Sequence, residues 1–200
     1  MKRNLTIKSK LSRGLLVTFH LLCLVILIAG SGYECEPAGC GCKCTNSNGT
    51  YEMSLEGIGK ASKPLPVPSQ STSWTYIVSA CHPFKKNINC TDVTMCQTSS
   101  DKRQSFPVAG TKIEKCSKAD GEALVEVTYA AVPFRKDSRQ MIINVGCASE
   151  PTDPSKLVED TGKHTYTFSI STPDGCLRKV TNSGGSGSSG LSTGSIIVIV

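Results

Sequence analysis

The sequence predicts an all-β domain, a sandwich or flattened β-barrel of two antiparallel sheets held by disulfides. Three observations carry this. Apolar and polar residues alternate in short segments along the middle of the chain, and no long helical period interrupts them. Of the 11 cysteines, Cys23 falls in an N-terminal leader, which leaves an even set for pairing.

The leader comes first. The stretch MKRNLTIKSKLSRG carries Lys2, Arg3, Lys8, Lys10 and Arg13 without an acid, and an apolar run from Leu15 to Ala29 follows. With small residues at Ala29, Gly30, Ser31 and Gly32, residues 1–32 read as a secretory signal peptide, the mature chain starting near Gly32 or Tyr33. An uncleaved anchor fits less well, because a spanning helix needs roughly 20 apolar residues. The leader holds five of the 22 basic residues and none of the 16 acidic ones, so the formal charge of +6 falls to +1 without it. That balance gives nucleic acid or an anionic membrane surface no electrostatic hold on the domain.

Residues 33–180 are long enough for one domain with its own core. Within it, WTYIVSAC places Trp74, Tyr76 and Val78 on one face, and EALVEVTYA does the same with Ala123, Val125, Val127 and Tyr129. RQMIINVGC aligns Met141, Ile143 and Val145, and HTYTFSISTPDGC aligns Tyr166, Phe168 and Ile170 ahead of a Pro-Asp-Gly turn. Ten cysteines remain: Cys35, Cys40, Cys42, Cys44, Cys81, Cys90, Cys96, Cys116, Cys147 and Cys176. The crowded CEPAGCGCKC lacks the regular CxxC pairs of a zinc site, so these are read as disulfides and no metal is expected. Asn48-Gly49-Thr50 and Asn89-Cys90-Thr91 are glycosylation sequons and should face solvent.

Residues 181–194 form a flexible Gly/Ser linker that runs into Ile196–Val200. Residues 195–200 read as the start of a transmembrane helix continuing beyond Val200, which would make this the lumenal part of a membrane-anchored protein. A lipid-anchor signal is a weaker alternative.

In this order, CTNSNGTYEMSLEGIG, YIVSACHPF, CTDVTMCQ, VEVTYAAVPFRKDSRQMIINVGC and HTYTFSISTPDGC resemble the mannose 6-phosphate receptor homology domain, over roughly Cys44 to Cys176. The resemblance implies a flattened β-barrel of two packed sheets and a carbohydrate pocket built from a glutamine, an arginine, a glutamate and a tyrosine. Those positions correspond to Gln97, Arg139, Glu159 (with Glu150 behind it) and Tyr166. Such a set suits a sugar: a carboxylate accepts from neighbouring hydroxyls, guanidinium and amide groups donate to their oxygens, and tyrosine adds a flat ring with a hydroxyl.

The resemblance also implies the pairs Cys90–Cys96, Cys147–Cys176 and Cys44–Cys81, with Cys35, Cys40, Cys42 and Cys116 left to pair among themselves. A further family bridge, from the loop before the arginine to a position two residues before the tyrosine, has lost both halves. The loop here is AAVPFRKDS, and His164 stands at the second position. Arg135 and Lys136 are candidates for positive charge at that end, His164 for a pH-sensitive contact, and Asp137 is no firm match to a metal-contacting aspartate.

The leading functional expectation is a membrane-anchored lectin without cofactor. It would bind mannose-type, phosphorylated or plain, N-glycans on lysosomal hydrolases and sort them between Golgi, endosome and lysosome. The alternative is an autophagy-related type I membrane trafficking protein with the same domain, acting through protein contacts. A homodimer is an open option, and nucleic acid is not an expected partner. An enzyme has little to stand on: GxSxG, HExxH and GxxxxGK are missing, and His82 and His164 are the mature histidines.

Overall fold

The structure is a computed structural model that describes residues 32–118 and 124–181. Residues 1–31 of the expected signal peptide (1–32), residues 182–194 of the expected linker (181–194) and the segment 195–200 lie outside the described residues. Among the described residues no helix is long and apolar enough to cross a membrane.

The strands, in chain order, are β1 (Glu34–Pro37), β2 (Gly41–Asn46), β3 (Gly49–Ser54), β4 (Leu65–Val67), β5 (Trp74–Val78), β6 (Met95–Ser99) and β7 (Ser105–Ala109). They continue as β8 (Ile113–Lys118), β9 (Leu124–Tyr129), β10 (Val132–Phe134), β11 (Asp137–Cys147), β12 (Val158–Asp160), β13 (Thr165–Thr172) and β14 (Arg178–Lys179). The protein is all-β, as its alternation predicts. Burial follows the period of two: Val125, Val127 and Tyr129 on β9, Met141, Ile143 and Val145 on β11, and Tyr166, Phe168 and Ile170 on β13 all point inward.

The expected pair of antiparallel sheets is realised as three sheets that do not close into a barrel: β1-β2-β3-β14, β4-β5-β6-β7 and β12-β13-β11-β9-β8, with β10 added to β11. One pairing is parallel, β11 with β13, from Gln140 opposite Thr165 to Cys147 opposite Thr172. Parallel neighbours need a crossover of about a dozen residues or more. The segment between Cys147 and Thr165 provides it, laying β12 antiparallel along the outer edge of β13 on the way. Side chains from all three sheets meet in one core that includes Leu55, Val78, Met95, Val127, Ile143 and Phe168. Tyr129 ties β9 to the segment after β5, its buried hydroxyl donating to the Ala80 carbonyl at 2.8 Å.

Five disulfides cross this frame. Cys90–Cys96 and Cys147–Cys176 are as the resemblance implies. The expected Cys44–Cys81 bond is not formed. Cys44 lies opposite Cys35 in the β1–β2 ladder and bonds to it, which leaves Cys81 for Cys40 and Cys116 for Cys42. Register decides this: the resemblance begins at Cys44 and contains no β1 to present a competing thiol. At the last bridge, a side chain on Gly175 would collide with the Gly146 carbonyl, so the turn lies flat on β11 beside Cys147–Cys176.

Both sequon asparagines are exposed. Asn48 sits in the β2–β3 turn, and Asn89 points outward while its neighbour Cys90 is fully buried in a disulfide.

Replacing Cys40 and Cys81 together with serine removes one whole bond and should leave no free thiol. Replacing Cys44 and Cys81 together should leave Cys35 and Cys40 free and titratable with a maleimide; the reverse pattern would refute the observed connectivity. Loss of the Cys42–Cys116 bond, which spans 74 residues, should cost about 4 kcal/mol in denaturant melts, and loss of Cys90–Cys96, which spans 6, about 2 kcal/mol.

Candidate functional site

Two cross-strand rows face each other across the core. In one, Tyr76 on β5 lies opposite Gln97 on β6, and Gln97 lies opposite Phe106 on β7. In the other, Tyr166 on β13 is flanked by Met141 on β11 and Glu159 on β12. Arg139 shares the inward phase of Met141, Ile143 and Val145, so the alternation that buries β11 also turns its arginine into the interior.

The four residues expected from the sequence come together. Arg139 Nη1 donates to Gln97 Oε1 at 2.9 Å, and Tyr166 Oη donates to Glu159 Oε1 at 3.0 Å. Between these pairs stands Tyr76, which the sequence places on one strand face with Trp74 and Val78. Gln97 Nε2 donates to its hydroxyl at 2.8 Å, and its ring lies 5.9 Å from that of Tyr166. A buried tyrosine needs a partner for its hydroxyl, which is a signal the sequence carried; that the partner is Gln97 followed only from strand pairing. Glu150 is exposed, and among the described residues no hydrogen bond or ion pair joins it to the others. Glu159, at the sheet edge, is exposed as well, whereas Gln97, Arg139 and Tyr166 are buried.

Arg139 is 6 % exposed and has no carboxylate within ion-pair distance among the described residues. Aromatic faces surround it instead. The guanidinium carbon lies 3.4 Å from the centre of the Phe134 ring, 5.4 Å from Phe106 and 5.8 Å from Tyr166. Its buried Nε has no hydrogen-bond partner. Burial lowers its pKa, opposed by Tyr166, Glu159 and Tyr76, and an arginine in such a setting stays charged.

Burial also pushes the Tyr76 hydroxyl up to about 12, with the Glu159 charge adding to the shift and the Gln97 hydrogen bond and Arg139 opposing it. Tyr166 is raised too, first by burial, while Arg139 pulls the other way and Glu159 reinforces the rise. Both phenols are therefore neutral donors at physiological pH.

Phe134 belongs to the β10–β11 hairpin, the loop in which the family bridge is missing. Non-covalent contacts join the same two segments. His164 packs edge-on to Phe134 with ring centres 6.4 Å apart, and its Nε2 lies 3.6 Å from Asp137 Oδ2. Both turns run through left-handed backbone, at Arg135 (φ 56°) and His164 (φ 50°). Arg135 lies over the Phe134 ring with its guanidinium carbon 5.3 Å from the ring centre, and Lys136 is exposed.

A cleft of about 190 Å³ adjoins the network. Ser69, Ser71, Leu157 and Val158 line it, and Tyr76 and Glu159 form the wall toward the buried groups. Elsewhere, Cys40, Cys81 and Glu56 bring ligand-type atoms within 4.8 Å of one another, but the two sulfurs are bonded to each other and offer no thiolate.

The raised Tyr76 pKa favours the native state while the phenol stays protonated. Its contribution is complete below the ordinary tyrosine value of about 10 and is lost as the pH rises through about 12. Tyr76→Phe should delete one step near pH 12 from the phenolate absorbance titration and weaken the alkaline fall in melting temperature between those limits. A Tyr76-dependent step at pH 10 would refute the burial described above.

No curated protein matches the chain. The family model of autophagy-related protein 27 matches it over residues 20–200, which covers every strand, every disulfide and the whole Arg139 network. The chain belongs to the autophagy-related protein 27 family.

Proposed function

We propose that this chain is the lumen-facing part of a membrane-anchored, autophagy-related trafficking protein that recognises its partners by protein contacts and performs no chemistry on them. Family membership favours this reading over the sorting of lysosomal hydrolases by their glycans. Its compartments are those of the secretory route, Golgi and endosome, reached by the signal peptide and kept by the helix expected after residue 194.

One observation carries the choice. A lectin pocket must present its guanidinium and amide to the ligand, and here Arg139 lies beneath Phe134 while Gln97 spends its amide on Arg139 and Tyr76. The polar groups of the carbohydrate site are present but bonded to one another. In their place the domain offers a protein partner its exposed edge, with Val158 61 % exposed on β12 beside the cleft. That same cleft is the observation on the lectin side, since Tyr76 and Glu159 reach it.

The discriminating variant is Glu159→Gln, because the residue is exposed and its loss spares the core. In cells lacking the endogenous protein, this variant should restore autophagic flux as well as the wild type does. On an array of plain and phosphorylated high-mannose glycans, the purified wild-type chain should show no mannose-dependent retention. Retention that Glu159→Gln abolishes, together with failed rescue, would overturn the proposal in favour of a lectin.

A further inference from the structure

Between β5 and β6 the chain places two covalent modifications on adjacent residues. Asn89 is the acceptor of the Asn89-Cys90-Thr91 sequon, and Cys90, its middle residue, bonds to Cys96 six positions on. The asparagine is exposed, whereas Cys90 is fully buried with Phe84, Val93 and Cys96. A glycosyltransferase reads a sequon through the acceptor amide and the hydroxyl two residues on, so the three residues must enter its site together.

The folded loop holds them in place. Asn87 is its hub: Oδ1 accepts from the backbone N–H groups of Asn89 and Cys90, both at 3.1 Å, and the carbonyl accepts from Thr91 Oγ1 at 3.1 Å. Asn87 Nδ2 in turn donates to Ser105 Oγ on β7 at 2.7 Å, and the Lys86 N–H donates to the Cys90 carbonyl at 2.9 Å. With Thr91 bonded to Asn87 and Cys90 anchored by its sulfur, the sequon can be drawn out only while the bridge is open. The Asn48 sequon has Gly49 in the middle, at the β2–β3 turn, and contains no cysteine.

We infer that the Cys90–Cys96 bridge gates glycosylation of Asn89: sugar transfer and oxidation compete for one loop, and the winner decides whether its apolar tip is covered. In transfer, Asn89 Nδ2 bonds to the anomeric carbon of a lipid-pyrophosphate-linked oligosaccharide. The anomeric C–O bond breaks with its electrons going to the pyrophosphate, and one amide proton is released. In closure, the Cys90 and Cys96 thiols give two electrons and two protons to the disulfide of a lumenal oxidoreductase, which leaves as a dithiol. At about 5–20 residues synthesised per second, Cys96 follows Asn89 into the lumen within about a second, and so short a loop needs no distant segment to close. Because Asn89 points outward, a glycan added early fits the finished fold. The surface differs between the two products. Ile88, 89 % exposed, stands between the exposed Lys85 and Lys86 on one side and Asn89 on the other. A glycan puts a bulky polar cover beside it, and the unmodified loop leaves it bare.

The test is site occupancy on the full chain made in a eukaryotic secretory system, read by mass spectrometry after enzymatic glycan release in heavy-oxygen water. Asn89 should be occupied on a minority of wild-type chains and Asn48 on most. Cys96→Ser, which keeps the sequon intact, should raise Asn89 occupancy several-fold, and Cys90→Ser combined with Cys96→Ser should do the same. Dithiothreitol present during synthesis should raise it in the wild type and add nothing in that double variant. Cys147→Ser combined with Cys176→Ser removes a bridge elsewhere and should leave Asn89 as in the wild type, with Asn48 constant throughout. Occupancy is read on chains whether or not they complete folding, so a misfolded variant still reports. A wild type as fully occupied at Asn89 as at Asn48 overturns the gate. Unchanged occupancy in both Cys96 variants does so too, as does an equal rise when Cys147–Cys176 is removed instead.

Discussion

A buried cation constrains this domain more than any other single interaction. Arg139 lies inside the sandwich without a carboxylate partner, so the fold must hold a full charge with ring faces and one amide. Desolvating a guanidinium costs several kcal/mol, whereas a desolvated cation–π contact returns about 2 kcal/mol and a hydrogen bond to a charged group about 1.5–3 kcal/mol. Several partners are therefore needed, and they come from different strands: Gln97 from β6, Phe106 from β7, Phe134 from β10 and Tyr166 from β13. The arginine thus specifies how the four- and six-stranded sheets face each other.

The disulfides serve this arrangement from outside. Cys147–Cys176 joins the end of β11 to the turn after β13, fixing the far end of the two parallel strands that carry Arg139 and Tyr166. Cys90–Cys96 closes the loop leading into β6 and Gln97. Of the three remaining bonds, Cys35–Cys44 joins β1 to β2, while Cys42–Cys116 and Cys40–Cys81 stitch that N-terminal sheet to β8 and to the segment after β5. In the hairpin above Arg139 the family bridge, both halves of which are missing here, is replaced by a ring contact and a His164–Asp137 contact at 3.6 Å. A polar contact of that kind between partly exposed side chains is worth at most about 0–1 kcal/mol, far less than a covalent link, so this corner is the least restrained part of the network.

Trafficking and carbohydrate recognition make different demands on one scaffold. A sugar site needs its donors and acceptors pre-aimed at solvent, while a structural polar network needs them satisfied internally. Gln97 illustrates the second condition, with both ends of its amide engaged, and Glu159 sits on the boundary, bonded to Tyr166 yet open to the cleft. Family membership and this inward-turned chemistry support the proposed reading of a trafficking protein.

Period-two burial on β5, β9, β11 and β13 was legible in the sequence, because alternation and strand geometry share one period and need no partner to be read. By that rule Arg139 and Tyr166 were already destined to point inward, and the resemblance put Gln97 and Glu159 with them. The parallel pairing of β11 with β13, the bond of Cys44 to Cys35 and the place of Tyr76 in the network were decided by strand order and register, which depend on contacts between distant segments. The ring of Phe134 over Arg139 belongs to the same class. An isolated β10 has no reason to fold onto an arginine five residues on; it does so because Phe106 from β7 and His164 from the turn before β13 complete the box that makes a buried charge tolerable.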